Sequence, residues 1–398
     1  MKRLLTIDIK KNSWPGKGKI PNFPSCFHSG SETHDINIPG MLLMIGYLTT
    51  PTASTGVSLS EFWAWVRYLA AVTNEKHLRL TNSFSDLDAH QKTILSDDFG
   101  MGVPMHWLKQ KLKLTQIVDG RYFMQRIAAS VSATQRRTAK RGPNKTPDFV
   151  ACDMQGIWHV IECKGTQSGI EYSKTQIGRR GPPAKGGAAQ KLSIIFPKSY
   201  TGQRLVTGLS LGIENGVGSQ LTIIDPKPEE PFQIKKSQLY LANDAAARGV
   251  MSRALRLSGF ETTADATASP LGANPAATRF RHRARESARE KFIEERTHRV
   301  QEELARSDRD IIFDKQYRGK EVDITLPRPI EVDQDQIRRV ILRQGININL
   351  IEQFREQPTF DEPTFDQTVN LKNNVTKSDE MSASMQIGDV FRSEIILE

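Results

Sequence analysis

Residues 146–165, TPDFVACDMQGIWHVIECKG, constrain the fold more than any other stretch of the 398-residue chain. Asp148 to Asp153 alternates between two faces, and Ile157 to Lys164 is rich in β-branched and aromatic side chains. Between them, Met154-Gln155-Gly156 supplies a three-residue loop with glycine where a positive φ is wanted. The pattern predicts a tight β-hairpin. If Asp153 and Ile157 close the loop, Asp148 lies opposite Glu162 with Cβ atoms roughly 5 Å apart, and alternation adds Lys164 to the same face. His159 and Cys163 then share the opposite face, where His159 reads as a packing residue, and Cys152 faces Trp158 as small core filler.

Two carboxylates that close repel unless something positive sits beside them, and a divalent cation is the efficient solution. Hard oxygen ligands favour Mg²⁺ or Mn²⁺ over zinc. A lysine on the same face can orient an attacking water or stabilise a pentavalent phosphorane and its leaving oxygen. The competing reading of the three residues is a cross-strand salt-bridge cluster on a solvated sheet face. A second strand-like acidic stretch, Glu321 to Asp323 followed by Glu331-Val332-Asp333, has no lysine two residues on and is assigned to structure.

Pro147-Asp148 followed by Glu162-Cys163-Lys164 resembles the PD-(D/E)xK nucleases, the restriction-endonuclease-like superfamily of restriction, repair and transposon-end-cleaving enzymes. The resemblance covers about twenty residues closely and extends loosely over 90–235. It implies an α/β fold whose mixed central sheet is flanked by helices, with a C-terminal helical and hairpin extension. It also implies that Asp148 and Glu162 are metal ligands, that Lys164 is the catalytic lysine, and that the Cys163 carbonyl completes the metal shell. Members often add an acid from the preceding helix, for which Asp98 is the first candidate here, with Asp97 and Glu75 behind it. The subgroup with glutamine followed four residues later by tyrosine is not supported, since Gln176 is followed by Arg180. The activity implied is an Mg²⁺-dependent DNA endonuclease in host defence or mobile-element processing, the alternative being a non-catalytic nucleic-acid-binding or assembly subunit on the same fold.

Charge agrees with a polyanionic partner. The chain carries 55 Lys and Arg against 45 Asp and Glu, and residues 351–398 hold ten acids against four bases, so the preceding 350 residues are more basic than the total. Residues 135–145 (QRRTAKRGPNK) carry Arg136, Arg137, Lys140, Arg141 and Lys145 with no acid. Residues 172–198 are basic and glycine-rich, with Lys174, Gln176, Arg179 and Arg180 near the lysine strand. Both stretches are expected to follow DNA phosphates. Residues 279–306 read as a highly charged helix which, like the acidic tail, would suit a protein partner. Cys26, Cys152 and Cys163 form no CxxC pair, so a disulfide framework and a cysteine-built zinc site are excluded and a reducing, cytoplasmic setting is expected. The longest apolar run, Ile38 to Leu48, is too short to cross a bilayer, and no P-loop, Rossmann glycine pattern or Ser/His/Asp arrangement occurs.

Four regions follow from these patterns: an irregular N-terminal region over 1–59 with a strand or two, a nuclease-like domain over 60–235, a helical and hairpin region over 236–350, and a flexible acidic tail over 351–398. Helices are expected from Ser60 through Ala70, from Ser96 to Leu114 and over 236–258. Strands are expected at Leu192 to Phe196, Arg204 to Leu211 and Gln220 to Ile224, with a hairpin at 311–326 turning at Tyr317 to Lys320.

Overall fold

The computed structural model describes residues 1–16, 18–52, 67–130, 146–178, 194–225, 232–269, 283–306, 309–313, 315–356, 370–371 and 374–398. Strands β4 (Phe149–Asp153) and β5 (Trp158–Thr166) form the expected hairpin in the expected register, with Phe149 opposite Ile161 and Cys152 opposite Trp158. Gly156 takes φ 79°, and the Asp153 carboxylate accepts from Gln155 N at 2.8 Å and Ile157 N at 2.9 Å, closing the loop from inside. His159 is a satisfied packing residue: it is buried, accepts from Gln203 N at 3.0 Å and meets Asp153 Oδ2 at 3.3 Å.

This hairpin lies within a seven-stranded mixed sheet of order β2-β1-β8-β7-β5-β4-β3. The other members are β1 (Lys2–Ile9), β2 (Gly30–Asn37), β3 (Leu114–Asp119), β7 (Thr201–Ser210) and β8 (Gln220–Ile224). The β1–β8 and β5–β7 pairs are parallel and the remainder antiparallel. A two-stranded pair, β6 (Ile194–Ile195) and β9 (Phe232–Gln233), stands apart.

Helix α1 (Ile38–Thr49) uses the apolar run, capped by Asn37 Oδ1 accepting from Gly40 N at 2.7 Å, and is buried over nearly its whole length. It packs on α2 (Ala89–Lys111), which begins seven residues before the expected Ser96 because Asp88 caps it, accepting from His90 N and Gln91 N. The glycines within α2 are points of close approach. A Cβ on Gly102 would lie 2.1 Å from Ile45 Cγ1, and one on Gly165 of β5 would lie 1.7 Å from the Ser96 carbonyl oxygen. Helices α3 (Gly120–Ser130) and α5 (Leu239–Leu257) cover β3 on the same assembly, and α6 (Glu261–Thr267) packs on α5. The opposite face of the sheet carries α4 (Ile170–Gln176).

The N-terminal region supplies the two strands expected within it, and these complete one edge of the main sheet, because β1 pairs in parallel with β8 more than 200 residues away. The expected C-terminal helical and hairpin extension is mainly a six-stranded antiparallel sheet of order β10-β11-β12-β15-β14-β13, comprising β10 (Asp310–Ile312), β11 (Tyr317–Val332), β12 (Asp335–Asn347), β13 (Thr376–Ser378), β14 (Ser382–Ile387) and β15 (Phe391–Leu397). Tyr317 to Lys320 is strand, not turn. Gly319 fits between β10 and β12, where a Cβ would meet the Gln344 oxygen at 1.9 Å, and β11 continues into a long hairpin with β12. The acidic stretch at Glu321 and Asp323 is structural, paired with Arg343 and Arg339. In the described part of 351–398 the tail is built into this sheet, since Phe391, Ile395 and Leu397 alternate inward and bury against β12 and β14. The charged helix α7 (Arg283–Ala305) docks its C-terminal end through Val300 and Leu304, and α8 (Ile348–Glu356) packs beside it. Among the described residues no helix is long and apolar enough to cross a membrane.

Candidate active site

The hairpin brings Asp148, Glu162 and Lys164 together as its register requires. Asp148 immediately precedes β4; its Oδ2 accepts from Cys163 N at 2.7 Å, and its own N–H donates to Glu162 Oε2 at 3.1 Å. Lys164 Nζ stands 2.5 Å from Glu162 Oε1. Glu162 is fully buried, whereas the Lys164 side chain keeps 24% of its exposure and so opens the cluster to solvent. The N–H and C=O of a strand residue leave on the same side. The Cys163 carbonyl therefore points toward the Asp148 edge, where its N–H already goes.

Burial is the dominant electrostatic fact of the cluster. It pushes Glu162 up to about 8, with the neighbouring Asp148 charge adding to the effect and Lys164 opposing it. Asp148 is raised too, again mainly by burial, against the pull of Lys164 and the Cys163 N–H. Lys164 is held above its usual value because Glu162 and Asp148 outweigh its desolvation.

The three acids named from the sequence are placed differently. Asp98 is hydrogen-bonded by the Tyr68 hydroxyl, and burial raises its carboxyl. Asp97 is exposed and is the α2 carboxylate whose charge is felt by both Lys164 and Asp148. Glu75 pairs with Arg79 elsewhere. Periodicity could not choose between Asp97 and Asp98, because adjacent helix residues differ by about 100° and the choice depends on how α2 is rolled against β5.

Helix α4 borders the cluster. Its Ser173 and the following Ile177 sit over Gly208 of β7, and Gly208 pairs laterally with Lys164. Lys174 of α4 is ion-paired with Glu171 at 2.5 Å, and Gln176 Oε1 is buried with no hydrogen-bond partner. Arg136, Arg137, Lys140, Arg141, Lys145, Arg179 and Arg180 lie outside the described residues. Sequence reasoning passed over Asp8 of β1 and Lys10 just after it, an ion pair bordering the groove beyond α4. No local signal could have found them, since only the parallel β1–β8 pairing carries them there.

Among the described residues no group of three or more His, Cys, Asp or Glu is clustered as a ready metal cage. The donors nevertheless suit a hard divalent cation. Glu162 Oε1 is buried without a well-directed hydrogen bond, Asp148 lies against the same residue, and the Cys163 carbonyl is on their side. Fold and cluster together define a mixed α/β protein with a buried Glu162, a half-buried Asp148 and a lysine on one sheet face. Compared with protein families, with curated proteins and with solved structures, the chain matches none.

Proposed function

We propose that this chain is a metal-dependent nuclease with a restriction-endonuclease-like core that hydrolyses phosphodiester bonds in DNA. The observation that carries the proposal is the convergence of Asp148, Glu162 and Lys164 on one face of a β-hairpin. Asp148, Glu162 and the Cys163 carbonyl would hold Mg²⁺ or Mn²⁺, with Asp97 within electrostatic reach. When bound, the cation would lower the pKa of the attacking water. Glu162 must lose its proton to serve as a ligand, and the Lys164 ammonium beside it stabilises that anion. Lys164, partly exposed at the mouth, is placed to donate a hydrogen bond to the water or to the leaving oxygen.

One observation favours a second reading, a nucleic-acid-binding subunit without catalysis: Lys164 already neutralises Glu162, and Asp148 already caps the Cys163 N–H. The two readings separate when plasmid DNA is incubated with the protein in Mg²⁺, in Mn²⁺ and in excess chelator, beside Asp148→Ala and Glu162→Ala. A nuclease nicks or linearises the plasmid only with metal, and each substitution abolishes this. Binding without cleavage under every condition supports the second reading. Cleavage that persists in chelator overturns the metal-dependent one.

A further inference from the structure

Helix α4 lies across the sheet face that carries Lys164 and Asp8, with an open groove along one flank and the carboxylate cluster beyond the other. It is seven residues long and seated by its underside on Gly208, where a Cβ would come within 2.5 Å of Ile177 Cγ2 and 2.7 Å of Ser173 Oγ. Gly208 pairs with Lys164 on one side and with Thr222 on the other, and Thr222 pairs with Asp8. Lys164 and Asp8 therefore lie in one lateral row on one face, three strand spacings apart, or about 14 Å. With Ser173 facing down, helical spacing puts Ile170, Glu171 and Lys174 on one flank and Tyr172 and Gln176 on the other. The first flank forms, with Asp8, Lys10 and Gln220, an open groove of about 760 Å³. The second is turned toward the β5 side, where the carboxylates lie.

We propose that α4 is a ridge that enters the major groove of duplex DNA, with one backbone over Asp148, Glu162 and Lys164 and the other in the Lys10–Lys174 groove. This rests on the nuclease reading for the carboxylate side alone. The dimensions agree: a helix with its side chains is about 10–12 Å across, and the B-DNA major groove is about 12 Å wide. Seven residues rise about 10 Å, the span of about three base pairs. Lys10 and Lys174 are each held by a carboxylate, Asp8 and Glu171, so the groove keeps its ammonium groups in place without a ligand and offers them to phosphate when one arrives. The crown, opposite Ser173, carries Thr175 and the edge of Glu171, both exposed, while Tyr172, 52% exposed, stands on the carboxylate-side shoulder. A-form RNA has a deep, narrow major groove that does not admit such a ridge, so the geometry selects duplex DNA over duplex RNA.

The test is binding in excess chelator, where cleavage plays no part. Fluorescence anisotropy is read against salt for a 20-base-pair DNA duplex, its single strand and the RNA duplex of the same sequence. Expected is at least about tenfold tighter binding of duplex DNA. Lys10→Gln and Lys174→Gln should each weaken duplex binding severalfold and flatten the log–log salt slope by about one, as for one lost phosphate contact. Because Lys10→Gln leaves Asp8 without its cation, its melting curve is read alongside. Lys174→Gln, at a more exposed pair, gives the same readout without that liability. Equal affinity for the three nucleic acids, or unchanged slopes in both variants, overturns the ridge. Selective duplex binding without metal-dependent cleavage of any substrate retires the nuclease reading and leaves the ridge standing.

Discussion

Glu162 holds the largest electrostatic tension in the cluster, since a fully buried carboxyl beside Asp148 has only Lys164 and the Asp148 N–H to favour its anion. Its folded pKa, about 8, is above the ordinary value of 4.5, so the native state binds more protons than the unfolded state between those values. The metal-free protein should therefore lose stability as pH rises from about 4.5 to about 8. Glu162→Gln should raise the melting temperature at pH 8 and change it little at pH 4, and a scan of melting temperature against pH checks both. Added Mn²⁺ should stabilise wild type more at pH 8.5 than at pH 6 and leave the Gln variant unmoved. Lys164→Ala separates catalysis from charge balance: cleavage should fall by about 10²-fold or more in single-turnover assays while DNA affinity is kept, with Lys164→Arg as the charge-retaining control. Lys109 of α2 tests the opposite sign. It is buried with no hydrogen-bond partner for Nζ, and burial lowers it to about 8, below its ordinary 10.5. Lys109→Met should thus be more stable than wild type at pH 7, with the gap closing as pH rises from about 8 toward 10.5.

At the scale of elements, the site depends on how closely α2 approaches β5. Gly100 and Gly165 meet backbone to backbone, and a Cβ on Gly165 would occupy the space of the Ser96 carbonyl. Gly165→Ala should cost about 2 kcal/mol or more in urea denaturation, because nothing flexible is there to give way. It should also move Asp97 away from Lys164 and Asp148, so cleavage should fall further than stability alone explains. The hairpin loop is fastened by Asp153, which holds two loop N–H groups and His159. Asp153→Ala should destabilise by about 1–3 kcal/mol by leaving those groups without their acceptor. The same urea titration reads it.

Over the whole molecule, the two ends of the chain are joined. The Met1 amine donates to the Glu380 oxygen at 2.6 Å, and α1 packs on β14 and β15 as well as on α2. Deleting residues 376–398 would remove three strands of the six-stranded sheet and uncover α1, which is buried along both its faces. The truncated chain should lose cooperative unfolding and aggregate. Circular dichroism melts and size-exclusion chromatography check this, and a well-folded monomer would contradict it.

The hairpin from Asp148 to Lys164 was legible from residues alone, register included, because a turn of known length and period-two alternation are local properties. The same locality made α5 and β8 readable. What the sequence could not determine by itself were the facts that depend on distant partners. That Asp97 rather than Asp98 lies within electrostatic reach of Lys164 depends on the roll of α2 against β5, and the reading of Gly100 and Gly102 as contacts needed Gly165 and Ile45 to be in place. The tail reads as flexible because it is polar and carries ten acids against four bases. Yet Phe391, Ile395 and Leu397 face inward while Arg392, Glu394 and Ile396 face the other way, and only the edge of β12 decides that they form a strand. Pairing of β1 with β8 likewise carried Asp8 and Lys10 to the far flank of α4, a placement that tertiary structure alone decides because long-range strand pairing leaves no local pattern in either partner.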